Sequence, residues 1–142
     1  MSYIGLRRYL INAVKLMKAT TDRIGDPDNV ETKLVPLADK AALGRVEPVF
    51  TDGETHILTG GKRLGEKGCF FDSTVLCNPD PQARVYKVEV FGPVTCVRTF
   101  KPEVEFVEIP NDAEYGLMVA SFTKDTSRVT RLSTRLEWHC GD

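Results

Sequence analysis

A chain of 142 residues with 42% hydrophobic and 27% charged residues has the length of one ordinary domain and the composition of a soluble globular protein, which excludes disordered and fibrous classes. Its net charge is -1, with 19 basic against 20 acidic residues and no long basic run, so electrostatics give no reason to expect nucleic acid or an anionic membrane as partner. No apolar run reaches the roughly 20 residues that span a bilayer. Met1 to Leu10 carries Arg7 and Arg8 without the apolar core and cleavage site of a secretion signal, so the expected location is the cytoplasm. Cys69, Cys77, Cys96 and Cys140 form no CxxC pair and are expected to be reduced, structural thiols rather than metal ligands.

Tyr9 to Ile24 is predicted as an amphipathic helix, because Leu6, Leu10, Val14 and Met17 recur at helical spacing while Arg7, Arg8, Lys15 and Lys18 fall elsewhere. Gly25-Asp26-Pro27 stops it, and Asp28-Asn29 continues the turn. Pro36 to Phe50 is predicted as a second helix with Leu37, Ala41, Leu43 and Val46 as apolar positions and an end blurred by Pro48. His56 to Thr59 reads as a short strand closed by Gly60-Gly61, and Phe70 to Leu76 as a second, reached through a loop holding Gly65 and Gly68. Asn78-Pro79-Asp80-Pro81 is a turn. Val94 to Phe100 is apolar and β-rich, Glu103 to Ile109 helical, and Leu117 to Phe122 a buried strand. Asp125 to Glu137 is predicted as a last helix, capped by Asp125 or Thr126, with Val129, Leu132 and Leu136 on one face. Strands alternating with helices favour an α/β layered domain over an all-β sandwich.

Several stretches, in order and at characteristic spacing, together resemble the aldehyde dehydrogenase superfamily. They are Gly25-Asp26-Pro27 after a helix, Ile57-Leu58-Thr59-Gly60-Gly61-Lys62-Arg63, Ser73-Thr74-Val75-Leu76, Glu89-Val90-Phe91-Gly92-Pro93-Val94, and Asn111-Asp112-Ala113-Glu114-Tyr115-Gly116-Leu117. The resemblance runs from about Leu10 to Glu137, and its most specific part is the Glu-x-Phe-Gly-Pro-Val stretch followed by Asn-Asp-x-x-Tyr-Gly-Leu. Arg84-Val85-Tyr86 leading into Glu89 looks most like branches acting on aromatic aldehydes. The implied fold is α/β, an incomplete three-layer catalytic domain of the aldehyde dehydrogenase fold occupying 1–142, with the cofactor-binding domain absent.

In that family a cysteine attacks the aldehyde, the hemithioacetal gives hydride to the nicotinamide of NAD or NADP, and a glutamate-activated water hydrolyses the thioester. By resemblance Glu89 matches the carboxylate that accepts hydrogen bonds from the nicotinamide ribose hydroxyls, and Phe91 the aromatic that packs beside the nicotinamide. From the residues alone Phe91 reads as a core side chain on an apolar strand, and Glu89 as a solvated surface carboxylate between Val88 and Val90. Gly92-Pro93 is expected to form a rigid turn aiming both, Gly by tolerating positive φ and Pro by locking its own. Asn111, Tyr115 and Gly116 are expected to shape a loop. His139-Cys140 invites a nucleophile-base reading, but adjacent residues rarely face one another and no acid partner or oxyanion loop accompanies them.

The resemblance places the family's nucleophilic cysteine and its glycine-rich cofactor domain upstream of the first helix, and none of the four cysteines falls at the nucleophile position. Pro110, where the family has a helix-compatible residue, is expected to shorten the helix before Asn111. The expectation is therefore a truncated family member, inactive alone, with binding of NAD or NADP incomplete. Its partner would be a second copy or a full-length family member. The competing reading is a non-catalytic interaction module.

Overall fold

The computed structural model describes residues 3–51, 56–100, 103–112 and 122–137. They divide into two compact units, Met1–Val85 with Val90–Thr99, and Tyr86–Glu89 with Phe100–Asp142.

The first unit opens with helix α1 (Tyr3–Thr21). It starts six residues before the predicted Tyr9, since nothing upstream breaks it, and turns Ala13, Val14 and Met17 inward while Lys15 and Lys18 stay exposed. It ends before Ile24 because the last turn tightens, the Ile24 N–H reaching the Thr21 carbonyl at 3.0 Å, after which Ile24 bridges Leu34 in parallel. The turn chemistry read at Asp26 to Asn29 is present: Asp26 Oδ1 accepts from the Asp28 N–H and Asn29 Oδ1 from the Glu31 N–H.

The predicted helix from Pro36 to Phe50 is shorter than expected. Helix α2 spans Lys40–Val46, and Glu47–Phe50 continues as a 3₁₀ turn with Pro48 in its first positions. Asp39 sets the start, its carboxylate accepting from the Ala42 N–H at 2.7 Å. The buried face is Ala42, Leu43 and Val46, not Ala41. Leu37, outside the helix, still packs with Phe50, Val90 and Val94 against the buried cluster of Leu43, Val46 and Phe71. Phe50 stacks on Phe71 with centroids 5.4 Å apart.

A three-stranded sheet in the order β1-β2-β3 completes this unit. β1 (His56–Thr59) runs antiparallel to β2 (Thr74–Cys77), pairing His56 with Cys77 and Ile57 with Leu76, and slips register before Thr59 faces Val75. β3 (Val94–Val97) runs parallel to β2, from Thr74 facing Val94 to Cys77 facing Val97. The strands predicted over Phe70 to Leu76 and Val94 to Phe100 are thus four residues each, the first starting only at Thr74 and running on to Cys77. β2, paired on both sides, has Thr74, Val75 and Leu76 fully buried. Gly60 sits at φ +80, and a Cβ there would lie 2.5 Å from the Ser73 carbonyl oxygen and 2.5 Å from Thr74 Oγ1, so only glycine fits where β1 turns away. Thr74 Oγ1 accepts from the Gly61 N–H and donates to the Asp72 carbonyl. The Thr21 hydroxyl donates to Asp72 Oδ1 at 2.6 Å, tying the end of α1 to the entry of β2.

In the second unit α3 (Glu103–Asn111) runs through Pro110 instead of stopping short of it. Proline removes one donor, yet the helix closes beyond it, the Asp112 N–H reaching the Glu108 carbonyl at 3.0 Å. α4 (Thr126–Ser133) is capped by Asp125, whose side chain accepts from the Arg128 N–H, and stops four residues short of Glu137. Val107, Leu132 and Leu136 form the buried cluster with Phe106 against it, whereas Val129 stays exposed. The predicted strand at Leu117 to Phe122 lies outside the described residues except for Phe122, which is exposed.

Candidate functional site

The stretch from Val88 to Pro93 follows a 3₁₀ turn at Arg84–Tyr86 and precedes β3. It is a loop, not the strand predicted from Val88 and Val90. Val90 packs against the Leu43, Val46 and Phe71 cluster. Phe91 beside it is 71% exposed, which removes its reading as a core side chain. Glu89, in the second unit, is exposed, as both of its readings require.

The backbone at Phe91 is left-handed, with φ 47, a conformation that costs a bulky residue on the order of 1 kcal/mol. Positive φ therefore falls on Phe91 and not, as the sequence suggested, on Gly92. Glycine is required at 92 for a different reason: an added Cβ would lie 2.5 Å from Val46 Cγ2. The turn beyond is fastened on its other side, where the Pro93 carbonyl accepts from the Thr74 N–H at 2.8 Å and the Gly92 carbonyl from the Val94 N–H at 2.7 Å. Under it lies an apolar cavity of about 340 Å³, lined by Leu34 to Ala38, Phe71, Gly92 and Pro93. The part of Val46 in this arrangement has no signal in the sequence, since valine on the apolar face of a helix reads as ordinary core.

Cys69, Cys77 and Cys96 are free thiols. Burial pushes the Cys77 thiol up and that of Cys96 up to about 11, the opposite of what a nucleophilic cysteine needs. Among the described residues no group of His, Cys, Asp and Glu is arranged to hold a metal ion. Asn111 is a bracket between helices, its Nδ2 donating to the Arg135 carbonyl at 2.8 Å and its Oδ1 accepting from the Glu137 N–H at 3.0 Å. Tyr115, Gly116, His139 and Cys140 lie outside the described residues.

Residues 8–141 match the model of the aldehyde dehydrogenase family. The chain belongs to that family. A chloroplastic betaine aldehyde dehydrogenase of Atriplex hortensis is 36% identical over 120 residues, covering 81% of this chain and 24% of its own length. Among solved structures, succinate-semialdehyde dehydrogenase from Burkholderia pseudomallei superimposes with a TM-score of 0.80 at 35% identity, over 93% of this chain and 28% of that one. Betaine aldehyde dehydrogenase from Staphylococcus aureus in complex with NAD+ gives a TM-score of 0.76 at 30% identity, over 96% and 27%. The fold is accordingly a partial aldehyde dehydrogenase catalytic domain, and the chain spans about a quarter of the length of the curated relatives it matches. The family works with NAD or NADP. Among the described residues no helix is long and apolar enough to cross a membrane.

Proposed function

We propose that this chain serves NAD(P)-dependent oxidation of an aldehyde to a carboxylic acid by holding the nicotinamide end of the cofactor, with Phe91 packing beside the nicotinamide and Glu89 accepting from the ribose hydroxyls. The observation that carries the reading is the outward, left-handed Phe91 on a turn fixed from both sides. A flat apolar ring held open to water suits a flat aromatic partner, and an exposed carboxylate suits a vicinal diol. Each residue by its own chemistry suits its part of that half of the cofactor; among the described residues no glycine-rich strand-turn-helix offers the phosphates a cradle. Bound there, the cofactor supplies the hydride acceptor. Burial raises the Cys77 and Cys96 thiols, which disfavours both as the attacking thiolate. On this reading the 142 residues alone bind without turning over.

The test is saturation transfer from the chain to nicotinamide mononucleotide, with aldehyde-dependent reduction of NAD and NADP measured beside it. Ring-proton transfer is expected for the wild type, strongly reduced in Phe91→Ala. Binding should be roughly ten-fold weaker in Glu89→Gln, the loss of a charge-assisted hydrogen bond. No turnover is expected. Equal transfer in all variants, or turnover that survives Cys→Ala at each of the four cysteines, sinks the reading.

A second reading, association with another copy or with a full-length family member as a non-catalytic module, is favoured by exposed apolar side chains. Leu16 and Val30 in the first unit are examples, and Phe122 in the second is 94% exposed. Sedimentation velocity of the chain, alone and mixed with a full-length aldehyde dehydrogenase, checks it. A monomer that ignores the added enzyme rules it out.

A further inference from the structure

Val46 and Gly92 meet more closely than any side chain at 92 would allow, with a Cβ at Gly92 falling 2.5 Å from Val46 Cγ2. Val46 ends α2 and is 0% exposed, packed with Leu43 and Phe71, so it has no free direction in which to retreat. The loop backbone must therefore come down onto the Val46 methyl at Gly92. Gly92 is not itself at positive φ, and Pro93 fixes the next φ and restrains Gly92. The hydrogen bond from the Thr74 N–H to the Pro93 carbonyl holds the far side of the turn against β2, and the one from the Val94 N–H to the Gly92 carbonyl closes the turn on itself. On the near side Val90 is drawn into the same apolar cluster. With both neighbours fixed, the reversal between them falls on Phe91, which takes the left-handed conformation and carries its ring outward.

We infer that Val46 is a positioning residue: through its contact with Gly92 it sets the left-handed backbone of Phe91 and hence the display of the ring that packs on nicotinamide. The inference rests on the functional reading of Phe91 given above, but the conformational half of it can be measured without any cofactor. Val46 is fully buried and so offers no surface to a substrate or nicotinamide. Its action passes through a glycine that has to be small because α2 lies underneath.

The experiment is solution NMR of the labelled 142-residue chain and its variants. In the wild type a nuclear Overhauser contact between a Val46 methyl and the Gly92 α-protons is expected, together with Cα and Cβ shifts and an amide coupling at Phe91 that mark left-handed backbone. Gly92→Ala should remove the left-handed signature and reduce ring-proton transfer to nicotinamide mononucleotide to the level of Phe91→Ala. Adding Val46→Ala to Gly92→Ala makes room for the new methyl and should restore both signals. A merely structural contact would lower the unfolding temperature of Gly92→Ala while leaving the Phe91 shifts and the saturation transfer of the folded protein unchanged, and that result overturns the inference. So does absence of the Val46 to Gly92 contact in the wild type, which needs no variant to fold. If the wild type shows the contact and the left-handed Phe91 but no transfer to the mononucleotide, the functional reading fails while the conformational part of the inference stands.

Discussion

Each of the two units is stabilised internally by different means. In the first, a sheet whose central strand is buried from Thr74 to Leu76 packs with Leu43, Val46 and Phe71, and side-chain hydrogen bonds from Thr21 and Thr74 fasten its corners. In the second, a cluster of Val107, Leu132 and Leu136 is supplemented by polar links at the surface: Glu103 to Arg128 and Arg131, Lys87 to Asp112, and Asn111 to the backbone after α4. Exposed ion pairs add little each, so the second unit should open more readily. The strained Phe91 belongs to the better packed unit, as it must, because a left-handed bulky residue persists only where its surroundings over-determine it.

The largest effect is expected from the centre of the first unit. Leu76→Ala empties a fully buried site on β2 and should cost about 2–5 kcal/mol of stability. Denaturant unfolding gives that number, and native-state hydrogen exchange sharpens the comparison. In the wild type the Val75 and Leu76 amides should exchange more slowly than those of Val107 and Leu132. The reverse order would mean that the polar links of the second unit outweigh the sheet.

Much of this architecture was legible in the residues. His56 to Thr59 stands where the closing Gly60-Gly61 placed it, and of the two residues that could cap the last helix, Asp125 and Thr126, it is Asp125 that does so. Helix bounds were less legible, because tertiary packing and single hydrogen bonds set them: Asp39 starts α2 inside a segment that reads as continuous, and a 3₁₀ turn absorbs Pro48. Glu89 and Phe91 could be singled out by resemblance. The reason for Gly92 could not, since a glycine needed for close approach and one needed for positive φ look the same until the neighbouring helix is in place.

A smaller effect of opposite sign is expected at Ser73. It is 1% exposed and its hydroxyl finds no hydrogen-bond partner among the described residues. Burying an unpaired hydroxyl is unfavourable, so Ser73→Ala should raise stability by about 1 kcal/mol. Its unfolding midpoint would then move opposite to that of Leu76→Ala on the same strand entry. A loss instead would mean that the hydroxyl has a partner, and that the first unit depends on a polar contact at its core.

The smallest effect belongs to the second unit and tests its electrostatic half. Glu103 accepts from Arg131 Nε and Nη2, each at 3.1 Å, and lies 3.2 Å from Arg128 Nε. The hydrogen bonds from Arg131 lower its pKa, desolvation opposes them, and the charges of Arg131, Arg128 and Arg135 add to the lowering. A carboxylate whose folded pKa lies below its unfolded one stabilises fully above the unfolded value, near 4.3 in ordinary glutamate, and loses that contribution as pH falls through the folded value. Exchange of the Leu132 amide should therefore speed up as the solution is acidified below about pH 4.3, once intrinsic exchange is corrected for, and Glu103→Gln should flatten that dependence. Because the carboxylate remains partly exposed, the difference between wild type and variant should shrink at about 1 M salt, where charges are screened within roughly 3 Å. If Gln and Glu give the same acid profile at low salt, the arginines around Glu103 contribute nothing net. The second unit would then rest on the cluster of Val107, Leu132 and Leu136 with the Lys87 and Asn111 links.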